Sequence, residues 1–172
     1  YLGGHVLVSL TALALGLGIS LPVAILSLRR PWLRAAALTT ASVVQTIPGL
    51  ALLALFYPLL LALSALTERV FGVAFPALGF LPSVLALALY AMLPVLRNTV
   101  TALAELNPQY RETARTLGAT PARSLRDIEL PLALPTIMAG IRTSAVWVIG
   151  TATLSTPIGQ TSLGHSIFAG LQ

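Results

Sequence analysis

Apolar residues run along this chain in long uncharged stretches, parted by short clusters of arginine. Between Tyr1 and Leu28 no charged side chain occurs apart from the titratable His5, and about 20 apolar residues suffice to cross a bilayer core. That stretch predicts a first span over residues 5–28, with Pro22 as a kink whose freed carbonyl needs a partner inside a bundle. Further uncharged stretches run from Ala35 to Thr67, from Val70 to Leu96 and from Thr143 to Gln172. They are continuously apolar and do not alternate at period two, which argues against a β-barrel. An all-α bundle of four spans is predicted, over about 5–28, 36–64, 81–103 and 132–156.

The second stretch is longer than one straight crossing needs and short for two. One span is expected, broken near Thr46-Ile47-Pro48-Gly49, because Pro48 has no N–H to donate and Gly49 loosens the chain. Arg29, Arg30 and Arg34 around Pro31 form a basic loop that the positive-inside rule places in the cytoplasm. Glu68 and Arg69 open an outer loop that runs to Phe80 through Gly72, Pro76 and Gly79. Arg97 is placed to snorkel toward the inner headgroups.

Composition sharpens this picture. Of 172 residues 56% are hydrophobic and 9% charged, against roughly a quarter charged in soluble domains. All ten basic residues are arginine, set at span ends with no basic and aromatic run that could form a groove, so no nucleic acid is expected. Cysteine is absent, and His5 and His165 stand apart from any ligand-spaced neighbour, so no metal site is expected. Neither a Ser/His pair nor paired carboxylates suggest an enzyme. An ion-coupled transporter or channel acting alone would place ionisable residues at mid-membrane; Arg142 is the one such residue, and it lines an inner vestibule or pairs with a carbonyl or lipid phosphate.

One segment differs. Residues 105–131 hold four of the five acidic residues and four arginines. Asn107-Pro108 is a helix start and Gly118 a stop. Tyr110, Ala114 and Leu117 recur at i, i+4, i+7 as an apolar stripe, with Arg111 and Arg115 on another face. Thr120-Pro121 repeats the start signal for a second short helix whose apolar face continues through Leu125 and Ile128. Such a pair would be marginal alone, and its apolar stripe calls for a cytoplasmic protein groove.

Here a resemblance becomes specific. Glu112-Thr113-Ala114, Gly118 four positions after that alanine, and Ile128-Glu129-Leu130-Pro131 are similar to the Glu-Ala-Ala…Gly…Ile-x-Leu-Pro loop of type I ATP-binding-cassette importer permeases. Thr113 for the first alanine is the departure. Gln45-Thr46-Ile47-Pro48-Gly49, Leu89-Tyr90-Ala91-Met92-Leu93-Pro94-Val95-Leu96-Arg97-Asn98-Thr99, Trp147–Leu154 and Pro157–Gln172 resemble the glycine betaine, carnitine and choline branch of that family. The resemblance implies a multi-pass permease of the bacterial inner membrane, paired with a second copy or homologue. It also implies docking of cytoplasmic ATPase subunits through the loop, with Glu112 and Gly118 as key positions. Substrate would come from an extracytoplasmic binding protein or fused domain, and one more span would follow Gln172.

The chain has no lysine and no Gly-x-x-x-x-Gly-Lys pattern, so ATP and magnesium are expected on the partner ATPase and no cofactor on this chain. A compatible solute is the expected substrate, with methionine or another small solute as the alternative. Tyr90 and Trp147 offer aromatic faces suited to a quaternary ammonium, although both also suit packing. Gln45, Asn98, Thr143 and Thr151 would line a polar path or else bond between helices.

Overall fold

A computed structural model describes residues 1–170, and the expected further span after Gln172 lies outside them. The described residues form helices joined by short loops, without strands. Helix α1 is Leu2–Ser27, α2 Pro31–Thr46, α3 Gly49–Phe71 and α4 Phe80–Ala104. Short α5 (Pro108–Thr116) and α6 (Pro121–Ser124) lead into a π turn at Leu125–Glu129. Then come α7 (Leu130–Thr151), a 3₁₀ segment at Ala152–Ile158 and α8 (Gly164–Ala169). Of these, α1, α3, α4 and the continuous rod Pro121–Ile158 are long and apolar enough to cross a membrane. At 1.5 Å per residue, the 25 residues of α4 reach about 37 Å, more than a hydrocarbon core.

Helix α4 is the axis. Its buried positions lie on several faces, from Ser83 and Ala86 to Val95 and Leu103. Helix α1 meets it through small residues, Ser9, Ala12, Gly16, Ser20 and Ala24, all buried. A Cβ on Gly16 would sit 2.8 Å from the Ala91 Cβ and 3.0 Å from the Ala88 carbonyl oxygen, so only glycine lets the two backbones approach this closely. Helix α7 packs on another side of α4, where Gly140 plays the same part against Pro94 and Asn98.

Helices α2 and α3 take the remaining side in two pieces. Ala37, Leu38 and Ala41 of α2 pack with Leu93, Leu96 and Val100 on the later half of α4, whereas Leu52 and Leu53 of α3 pack with Ala86 and Tyr90 on its earlier half. Leu21 and Ile25 of α1 and Leu28 just after it cluster with Leu103, Leu106, Leu125 and Ala133. One end of the bundle therefore carries the α1–α2 turn with Arg29 and Arg30, and Arg34 in the first turn of α2, together with α5 and α6. At the opposite end Gly79 donates its N–H to the Ile158 carbonyl at 2.9 Å.

Several expectations change. The stretch expected as one span over 36–64 has its break where Thr46-Ile47-Pro48-Gly49 predicted it, but the break parts the stretch fully into two helices, with Ile47 and Pro48 non-helical in backbone. The stretch starts earlier, because Pro31 fits a first helical turn, and it continues through Glu68 and Arg69 until Gly72 turns left-handed at φ 70. The outer loop is thus Gly72–Gly79. Span four begins within the segment read as a second short helix, since α6, the π turn and α7 run on without a break. Pro22 faces outward along with Gly18, whose carbonyl it frees, so no partner inside the bundle is involved.

Candidate functional site

The segment after α4 is built by caps. The Asn107 side chain accepts from the Gln109 N–H at 3.0 Å, and Pro108 occupies the first turn of α5. At the other end Gly118 takes φ 79, its N–H bonding the Arg115 carbonyl while the Ala119 N–H bonds the Ala114 carbonyl, both at 2.9 Å. This is the paired-bond stop that favours glycine after a helix. The Thr120 hydroxyl then accepts from the Arg123 N–H and starts α6.

The π turn has a local cause. Pro131 lacks an N–H and its ring would press on the carbonyl four residues back, at Asp127. Widening the preceding turn, with the Leu130 N–H reaching the Leu125 carbonyl five residues back, relieves that clash. The widened turn delivers Glu129 into the bundle, where it is 7% exposed.

The two faces of α5 differ sharply. Ala114 is 1% exposed and seated on the bundle. Arg111 also turns inward: its Nε donates to Glu129 Oε2 at 2.8 Å and a terminal nitrogen donates to the Leu103 carbonyl at 2.8 Å. Outward stand Glu112, Thr113 and Arg115, with Tyr110 47% and Leu117 81% exposed. The stripe read as Tyr110, Ala114 and Leu117 is thus divided, because its middle member is buried. Arg111 likewise lies on the inner face of α5, whereas Arg115 is exposed. Glu112 has no ion-pair partner among the described residues. Ile128 and Leu130 are half-buried and Pro131 is exposed at the root of α7.

A second group of polar residues lies midway along α4. Pro94 cannot donate to the Tyr90 carbonyl, and the Gln45 side-chain amide donates to it instead at 3.0 Å. The Tyr90 hydroxyl in turn donates to the Ile47 carbonyl at the α2–α3 break. On the α7 side the Ser144 hydroxyl donates to the Ala91 carbonyl at 2.7 Å, and the Asn98 amide donates to the Pro94 carbonyl at 2.8 Å. Gln45, Tyr90 and Asn98 therefore serve the backbone around two prolines. The sequence offered Pro48 as a break but gave no sign that Pro94 would be its counterpart.

Thr143, Trp147 and Thr151 lie apart from that group. Thr143 and Trp147 line an open groove of about 710 Å³ along α7 with Pro135, Met138, Ala139, Arg142 and Val146. The Thr151 and Thr143 hydroxyls donate back to Trp147 and Ala139 carbonyls of their own helix. Tyr90, 6% exposed, does not share the groove with Trp147. Among the described residues no three His, Asp or Glu side chains gather as a metal site.

A bundle of four apolar helices long enough to cross a bilayer, with a capped, half-exposed helical loop at its basic end, is the architecture of a multi-pass membrane protein. The chain belongs to the family of inner membrane components of binding-protein-dependent transport systems, whose model matches residues 14–172. It is 39% identical to the choline transport system permease protein OpuBB of Bacillus subtilis, over 97% of this chain and 70% of that protein. To the glycine betaine/carnitine/choline transport system permease protein OpuCB of the same organism it is 38% identical, over 98% of this chain and 70% of that protein. To the osmoprotectant import permease protein OsmW of Salmonella typhimurium it is 40% identical, over 94% and 71%. The fold matches that of the MetNI methionine ABC transporter in an inward-facing conformation with a TM-score of 0.72 at 22% identity, covering 94% of this chain and 74% of that one.

Proposed function

We propose that this inner-membrane permease carries a compatible solute of the glycine betaine, carnitine, choline or proline betaine type inward, driven by separate ATPase subunits that bind ATP and magnesium. The observation that carries the substrate class is sequence identity of 38–40% with permeases named for choline, glycine betaine, carnitine and osmoprotectant transport, over nearly the whole chain. A second copy or homologue completes the pathway, and an extracytoplasmic binding protein or fused domain delivers the solute.

The ATPase docks on the outward face of α5. Glu112 supplies an unpaired carboxylate, Thr113 and Arg115 flank it, and Tyr110 and Leu117 supply apolar surface beside the Gly118 turn. ATP-driven closure of the ATPases moves this loop, and the differential contacts of the two nucleotide states shift the bundle between its openings. Thr143, Trp147 and Thr151 on α7 line the path; Gln45, Tyr90 and Asn98 support it from behind.

Uptake of radiolabelled choline and glycine betaine by the assembled transporter tests the reading, with methionine as the competitor. Uptake of methionine without betaine or choline would overturn the substrate class. Glu112→Arg places a cation where the partner meets an anion, and ATPase co-purification is expected to fall about tenfold, as for loss of a desolvated charge contact. Full association and uptake in that variant would overturn the docking face.

A further inference from the structure

Four groups meet behind α5: the Arg111 guanidinium, the Glu129 carboxylate, the Ser124 hydroxyl and the Leu103 carbonyl. Arg111 donates to Glu129 and to Leu103, and Ser124 donates to the other Glu129 oxygen at 3.0 Å. Each group comes from a different element. Leu103 is in the last turn of α4, Arg111 in α5, Ser124 ends α6, and Glu129 closes the π turn at the root of α7. A last-turn carbonyl of α4 has no helical donor of its own, and a guanidinium there also suits the negative end of the helix.

We propose that Arg111 and Glu129 are positioning residues that lock α5 to the ends of α4 and α7, so that a push on its outward face moves both long helices as one rigid piece. The inference rests on the docking reading above. Without the knot, α5 is held to the bundle only by its two short connections, where Leu106 packs on the core, and by one small buried side chain, Ala114, and would swing before it transmitted force. The Ile128-Glu129-Leu130-Pro131 stretch then has a physical role, because Pro131 enforces the wide turn and the wide turn aims Glu129. Leu103, Leu106, Leu125 and Leu130 form an apolar floor under the ionic groups and limit water on that side.

The chain contains no cysteine, so two spin labels can be placed cleanly, through Thr116→Cys on α5 and Thr136→Cys on α7, both exposed positions. In the complete transporter reconstituted in phospholipid vesicles, the label distance is expected to stay single and narrow with and without a non-hydrolysable ATP analogue. Glu129→Gln or Arg111→Gln is expected to broaden it. The same variants should retain the ATPase on purification yet lose about tenfold in choline and glycine betaine uptake per ATP hydrolysed, within the usual span of coupling free energies between sites. The exchange of Arg111→Glu with Glu129→Arg should recover part of both.

Should Glu129→Gln not accumulate, Ser124→Ala removes one bond only and is expected to broaden the distance by less. A narrow distance with full coupling in Glu129→Gln, or a distance in the native chain that changes with nucleotide, would overturn the proposal. Failure of the native chain to retain an ATPase would instead defeat the docking reading, while the label distances in the permease still report on the knot.

Discussion

Regular helical hydrogen bonding in this permease is disturbed in two regions, and the two repairs use different chemistry. Midway along α4, the carbonyls left by Pro94 and by the Pro48 break take neutral donors, the Gln45 amide and the Tyr90 hydroxyl. At the basic end, the turns set by Gly118 and Pro131 are held by a charged pair, Arg111 with Glu129, whose side chains are 38% and 9% exposed. Where lipid or protein surrounds a break on all sides, an ion would carry a large desolvation cost and a neutral hydrogen bond does not. Near the headgroups that cost falls and the longer reach of arginine can tie three elements together.

The contrast can be broken most severely at its centre. Gly140→Leu would place a side chain where even a Cβ meets the Asn98 Cβ and the Pro94 carbonyl oxygen at 2.8 Å. Separation of α7 from α4 is expected, with a stability loss of about 3 kcal/mol or more, read as collapsed yield and a lowered melting temperature in detergent.

Gln45→Leu should rank next. It leaves the Tyr90 carbonyl without a donor at about 1–3 kcal/mol, and because both groups are neutral the loss should be the same at low and high salt. Removing the charged pair with Glu129→Gln should by contrast weaken thermal stability somewhat less as ionic strength rises, since salt reaches the partly exposed Arg111 end of the pair even though Glu129 is buried. Equal salt dependence in the two variants would dissolve the distinction.

The smallest effect belongs to the start of α5. Asn107→Ala removes a cap on a helix of nine residues and should cost at most about 1 kcal/mol. Its mark should be faster amide exchange in α5, with the α4–α7 core unchanged.

Much of this was legible along the chain. Long uncharged stretches required helices in lipid, Pro48 required a break, and Asn107, Pro108 and Gly118 bounded α5, because each of these depends on a residue's own backbone chemistry or transfer energy. The resemblance picked out Glu112 and Gly118 and their neighbourhood on spacing. What could not be read was the direction of side chains within that neighbourhood. Arg111 and Arg115 looked equivalent, as did the members of the Tyr110, Ala114 and Leu117 stripe, yet one of each faces the bundle.

Residue order was enough to make this chain a helical membrane protein with a structured loop at its basic end, since burial in lipid and local capping act over a few residues. That Gln45 answers Pro94, that Tyr90 is a backbone clasp, and that Arg111 meets Glu129 follow only from the packed bundle. Those pairings join residues from 18 to 45 positions apart, a separation over which only the packing of one helix on another can bring donor and acceptor together.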